Sequence, residues 1–239
     1  PTTSDTPRAP INALEVVIGG GVPLGDRQTL DMTKTRYTLP LDEPPTIDGI
    51  IDATESWSRA SGSAGPNWRV LYDDTLDDFF RGGGPGDGPA NPPIDALDFS
   101  YDIFAGHDAD NLYIAVRVVD DWIETDDAAE GSENGSTWLD DSVEIFIDGD
   151  NSNYPDRDTT GTNPEVVDTG GQYVITANNA YRQAEAGNPG YGENAAWYAM
   201  TEWSDNGYEA EFRISLDILG NPEPGDIIGF TVAVNDDDG

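Results

Sequence analysis

The chain has 239 residues, 36% of them hydrophobic and 10% aromatic, which suits one core-forming domain. It carries 47 acidic against 11 basic residues, a formal net charge of −36, so phosphate-rich partners and anionic membranes are excluded on Coulombic grounds. There is no cysteine, hence no disulfide and no thiol nucleophile, and no apolar run approaches the roughly 20 residues that cross a bilayer.

Residues 1–30 read as an N-terminal tail with one extra strand. PTTSDTPRAP has too few apolar groups to offset the entropy of ordering it, whereas Leu14, Val16 and Ile18 alternate before a glycine run stops the strand. That strand either adds to an edge of its own sheet or is offered to the open edge of another molecule. The sequence opens at Pro1, which fits removal of a leader, and an extracellular or cell-surface location is the expectation.

TKTRYTLPL (33–41) is the first strand of the main domain, which runs over 31–239, and PPTIDG turns the chain after it. Trp57 is expected in the core. An insertion spans 65–93 and contains GGGPGDGPANPP, a composition poor in regular structure; Trp68 near its start is a surface platform or a lid contact. Alternation resumes with Leu97, Phe99, Tyr101 and Ile103, then Leu112, Ile114, Val116 and Val118 across the turn HDADN, which is the pattern of a hairpin. The sole histidine, His107, is expected to be a solvated loop residue.

An acidic loop from Asp120 to Thr137 carries Trp122 and the glycosylation triplet Asn134-Gly135-Ser136, and it leads to WLDDSVEIFID (138–148). In that segment Val143, Ile145 and Ile147 point one way and Ser142, Glu144 and Phe146 the other, as a central strand requires. DGDNSNYPDRD (148–158) then concentrates hard oxygen donors, so Asp148, Asp150, Asn151, Asp156 and Asp158 are candidate calcium ligands. Without the glycine and glutamate of a helix-loop-helix calcium loop, the segment is no EF-hand. Strands follow at 172–178, 196–203 and 208–215. In the last of these Tyr208, Ala210, Phe212 and Ile214 face inward and Glu209, Glu211 and Arg213 are expected to face water; LDIL forms a helical turn and IIGFTVAV a last strand. The whole pattern predicts an all-β fold, an antiparallel β-sandwich of jelly-roll type with an N-terminal extension.

Five segments in order, PPTIDGIIDATESW, DNLYIAVRVVDD, WLDDSVEIFIDGDN, GYEAEFRISLDIL and IIGFTVAVNDDDG, resemble the family 9 carbohydrate-binding modules and their wider relatives. The resemblance implies a non-catalytic module that holds an oligosaccharide or polysaccharide between two tryptophans. It matches the first ring to Trp138 and a hydroxyl-accepting carboxylate to Glu144. A pyranose stacks its C–H face on an aromatic ring and hydrogen-bonds carboxylates and amides at the rim. The second clamp tryptophan of the family lies beyond the NDDDG motif, where this sequence stops, and Trp122 is its candidate substitute; an arginine of the family is replaced by Val174.

The family's terminal strands also lie beyond Gly239, so a sheet edge is expected to need covering. Residues 13–18 cover it from within the chain, or from a neighbouring subunit, which makes a strand-exchanged filament or surface-layer subunit the alternative function. Carboxylate pairs such as Asp140 with Asp141 or Glu209 with Glu211 arise from composition alone among 47 acids, and no enzyme is expected. Haem ligation, which the wider superfamily includes, has only Met32, Met200 and His107 to draw on.

Overall fold

The computed structural model describes residues 14–18, 35–41, 43–52, 54–55, 57, 68–71, 97, 99–149, 151, 169–184 and 190–237. Within them the strands are β1 (Leu14–Ile18), β2 (Thr35–Pro40), β3 (Trp68–Leu71), β4 (Phe99–His107), β5 (Asn111–Asp120), β6 (Ser142–Asp148), β7 (Gly170–Thr176), β8 (Tyr181–Ala184), β9 (Trp197–Ser204), β10 (Gly207–Ser215) and β11 (Ile227–Asn235). Two short 3-10 turns, Thr137–Leu139 and Leu216–Leu219, are the helical elements that stand out. No helix among the described residues is long and apolar enough to cross a membrane.

The strands form a β-sandwich. One layer runs β8-β7-β6-β11-β1 and the other β4-β5-β10-β9, with β3 pairing along the start of β4. β3 is regular structure inside the 65–93 insertion; it finds its ladder on β4, which no local composition could show. Strand β2 lies between the layers, parallel to β1 on one side and to the end of β4 on the other. All other pairings are antiparallel.

The strand at 14–18 joins its own chain. β1 pairs antiparallel with β11, Leu14 opposite Phe230, and parallel with β2. It therefore adds to the β11 edge of its own sandwich, as one of the two readings of the sequence had it, with β2 on its other flank. The β11 flank, which the family resemblance left open, is covered by it.

Alternation is what builds the core. Val143, Ile145 and Ile147 of β6, Tyr173 and Ile175 of β7, Ile228, Phe230 and Val232 of β11 and Tyr208, Ala210, Phe212 and Ile214 of β10 meet between the layers, each 6% exposed or less. Burying side chains of this size is worth roughly 1.5–3 kcal/mol apiece before entropy is counted.

The second layer has a further apolar cluster on its outer side. Leu41, Ile51 and Trp57 pack on Phe104, Tyr113 and Ala115, so all nine residues of β4 are buried. Trp57 occupies the core as expected, 1% exposed. The expectation that Glu209, Glu211 and Arg213 face water is overturned: Glu211 is fully buried and the other two are half-buried. Residues of the 41–57 segment fold back over Glu209 and Glu211, while Arg213 donates to the Gly192 and Ala195 carbonyls.

Gly49 makes that cover possible. Its φ is +88°, a left-handed conformation, and a Cβ there would sit 2.5 Å from the Thr201 carbonyl carbon. His107 is also corrected. It closes β4, is 6% exposed, shares a 2.9 Å hydrogen bond between its Nδ1 and Thr38 Oγ1, and is held below the usual imidazole range by burial.

Candidate functional site

The outer face of the first layer carries a polar network centred on β6. With Val143 and Ile145 committed to the core, Ser142 and Glu144 must project from the opposite side. Ser142 lies opposite Asn235 of β11, and Phe146 opposite Gln172 of β7. Asn235 Nδ2 donates to Ser142 Oγ at 2.8 Å and to Glu144 Oε1 at 2.9 Å, while Gln172 Nε2 donates to Glu144 Oε2 at 2.5 Å. Both carboxylate oxygens are thus held by side-chain amides, one from each flanking strand, and charge-assisted bonds of this kind are the stronger ones.

Glu144, the hydroxyl-accepting carboxylate of the family resemblance, does not reach the surface. It is 0% exposed, and its amide partners Gln172 and Asn235 are each 8% exposed. The carboxylate fixes the orientation of the amides. Trp138 sits in the 3-10 turn that delivers the chain to β6, half-buried, between the fully buried Thr137 and Asp140.

Arg182 shares this face. Glu144 is opposite Val174, and Val174 is opposite Arg182 one strand further out. Its Nη1 donates to the Gly135 carbonyl at 3.4 Å, in the loop that leads to Trp138. The position occupied by Val174 carries no charge, but the next strand supplies a guanidinium on the same side of the sheet. Gln172, Asn235 and Arg182 were missed in the sequence reading. The period of two through Gln172, Val174 and Thr176 held the signal for the first, and the register of β8 for the last.

Trp122 is at the exit of β5. Its ring is 61% exposed, its Nε1 donates to Glu124 Oε2 at 3.2 Å and its backbone N–H to Asp120 Oδ1 at 2.8 Å. Glu124 N–H donates to Asp141 Oδ2, which ties this loop to the residue before β6. Among the described residues no ring contact joins Trp122 to Trp138. Another exposed ring, Trp203 at 56%, borders an open groove of about 750 Å³ with Thr125, Asn178 and Glu202; its indole N–H is anchored on the Ala177 carbonyl.

Of the calcium candidates, Asp148 ends β6 and Asn151 follows it at φ 48°, both half-buried. Asp150, Asp156 and Asp158 lie outside the described residues. Two other acidic groups have oxygens within 4.8 Å of one another: Asp120, Asp141 and Asp236, and Asp126, Asp127 and Asp140. Both gather at the opposite end of β6 from Asp148. Asp140 is already engaged, accepting from the backbone N–H groups of Asp127 and Ala128. Burial, and after it the neighbouring Asp120 carboxylate, push Asp141 well above the usual carboxylate range.

No curated protein matches the chain. Among solved structures, a carbohydrate-binding module of family 9 from Caldicellulosiruptor kristjanssonii in complex with cellotriose is similar over 92% of this chain and 75% of its own, with a TM-score of 0.51 and 19% identity. The same kind of module from that organism in complex with glucose is similar over 84% of this chain and 86% of its own, with a TM-score of 0.50 and 19% identity. Both are likenesses of fold. The family described as carbohydrate family 9 binding domain-like matches residues 94–239, from just before β4 through β11 and past the Asn235 that holds Glu144. The chain belongs to this family of non-catalytic, carbohydrate-binding modules.

Proposed function

We propose that the chain binds an oligosaccharide on the outer face of β7, β6 and β11, with Trp138 as the stacking ring, Gln172 and Arg182 as rim donors and the Asn235 side-chain carbonyl as a rim acceptor. The observation that supports this reading most is the network across three strands, in which a buried carboxylate holds two amides in fixed orientation. A polar cluster that orients its own donors is suited to hydroxyl recognition, because the donors need little reordering on binding. The cellotriose and glucose held by the two similar modules make cello-oligosaccharides the first probes. An extracellular or cell-surface location accords with a polymeric ligand of this kind.

Calorimetric titration of cello-oligosaccharides tests the proposal. Trp138→Ala should weaken binding by about tenfold or more, as expected when a stacking anchor is truncated, with little change in melting temperature. Trp122→Ala separates the second ring from the first. Wild-type affinity in both variants would remove the stacking site.

A further inference from the structure

We infer that the groove beside Trp203 is a second saccharide site, separate from the Trp138 face and selective for neutral sugar chains. Every second residue of β9 points between the layers: Trp197, Ala199 and Thr201 are each 1% exposed or less. Trp203 continues that row, yet it is 56% exposed. The opposite layer has run out at this level, because β7 ends at Thr176. The indole N–H, the one polar group of the ring, donates to the Ala177 carbonyl at 2.8 Å, so the part of the ring that meets solvent is bare carbon. A ring that prolongs a core row, is fixed at its polar edge and is left uncovered offers a ready platform to the C–H face of a pyranose.

The groove is built before any ligand arrives. Asn179, in left-handed backbone at φ 67°, accepts from the Thr201 N–H at 2.8 Å and donates to the Thr201 carbonyl at 3.0 Å, as a neighbouring strand would. Thr201 Oγ1 donates to the Thr176 carbonyl at 2.9 Å. Asn178 Nδ2 donates to the carbonyls of Thr125 and Ala128 at 3.2 and 3.0 Å, and Asp140 accepts from the backbone of Asp127 and Ala128. The 125–130 wall, the 177–179 turn and the 201–203 strand end therefore hold one another. The space of about 750 Å³ between them falls within the roughly 300–1,000 Å³ of small-molecule sites, and filling it asks for little ordering of the protein.

The lining selects the class of sugar. Around the ring stand the exposed carboxylates of Asp126, Asp127, Glu130 and Glu202, and no basic residue lines the groove among the described residues. Carboxylates accept from sugar hydroxyls, whereas four of them at one mouth repel a uronic acid or a phosphorylated sugar. This inference rests on the reading of the chain as a saccharide binder but uses none of the residues of the Trp138 face. The loop that supplies the 125–130 wall runs on to Trp138, so the two platforms flank one connection. Two sites on one module would grip a polymer at two points and raise its apparent affinity above that for a short oligomer.

The test is calorimetric titration of the full chain with cellohexaose and xylohexaose. Wild type should take up two equivalents of at least one of them. Trp203→Ala should lose one equivalent or weaken it by about tenfold or more, Trp138→Ala should lose the other, and the variant with both changes should bind none. Trp203→Ala that titrates like wild type would overturn the second site alone. Loss in Trp203→Ala with no change in Trp138→Ala would remove the first site and leave the second standing, and wild type that binds neither probe would overturn both. Should Trp203→Ala fail to fold, Ala129→Arg fills the groove from its exposed wall without touching the indole. Loss of one equivalent in that variant supports the site; unchanged binding overturns it. Oligogalacturonate, the anionic probe, should not bind there, and uptake of it that Trp203→Ala abolishes would overturn the selectivity for neutral chains.

Discussion

Glu144 and Glu211 occupy equivalent places in the two layers: each projects from the middle of a central strand, away from the shared core, and each is 0% exposed. Their partners differ in kind. Glu211 accepts from the backbone N–H groups of Asp48 and Gly49 at 3.0 and 2.9 Å and from Trp57 Nε1 at 2.6 Å. These donors belong to a turn locked in place by apolar packing, so the carboxylate is a structural anchor. Glu144 accepts from two side-chain amides on neighbouring strands. In the proposed saccharide site those oriented side chains are themselves the recognition groups. What separates the two is whether the carboxylate holds down a covering segment or orients side chains of its own sheet.

The largest effect should come from removing the two acids in turn. Glu211→Ala leaves two buried donors and one part-buried donor without an acceptor and opens a hole under Trp57, and it should cost about 3–5 kcal/mol of stability. Glu144→Ala should cost about 1–3 kcal/mol, because its amides can find other partners, yet it should weaken saccharide binding, which Glu211→Ala should spare if that variant folds. Urea unfolding and sugar titration on both variants check this pair. Equal stability losses would erase the contrast.

A middle-sized effect concerns pH. Burial pushes Glu211 from its ordinary 4.5 up to about 7, against the pull of Asp48, Trp57 and Gly49. Because the folded value lies above the unfolded one, the folded state holds the proton more tightly. The stability this gives is fully present below about pH 4.5 and is lost as pH rises through about 7. Wild type should therefore lose on the order of 1–3 kcal/mol relative to Glu211→Gln across that window. Parallel stability curves for the two proteins would contradict the assignment.

The smallest effect lies at the rim of the same cover. Arg117 Nε donates to Glu209 Oε1 at 2.5 Å, and the guanidinium stands 5.5 Å from the centre of the Phe104 ring. The Arg117 side chain is 39% exposed, so solvent screens the pair, and Arg117→Ala should cost only about 0.5–1.5 kcal/mol. A loss as large as that of Glu211→Ala would mean that the ion pair, rather than the buried anchor, holds the 41–57 segment down.

These contrasts also mark how far the sequence could be read. The inward faces of β6 and β10 were legible because a period of two is local: Val143, Ile145 and Ile147, and Tyr208, Ala210, Phe212 and Ile214, needed only their neighbours. The outward faces were not. Whether Glu211 meets water depends on Asp48, 163 positions away, and no strand pattern encodes that return. Among the site residues, Trp138 and Glu144 were visible through a family motif, while Gln172 and Arg182 came into view with strand register. The acidic cluster was hidden for a related reason. Asp120, Asp141 and Asp236 sit in separate motifs, each unremarkable in a chain with 47 acids, until three strand ends bring them together.

The double allegiance of β2 has a mechanical consequence. Because it hydrogen-bonds β1 on one flank and β4 on the other, the two layers share a spine and cannot slide past each other there. On the far side β8 and β9 end the two layers among the described strands, β8 bridged to Glu133 at Tyr181 and β9 to Tyr191 at Trp197. That side is latched by rings: Tyr181 stacks on Tyr191 at 3.7 Å, both meet Trp197 edge-on, and Trp197 Nε1 donates to Gln183 across the gap at 2.9 Å.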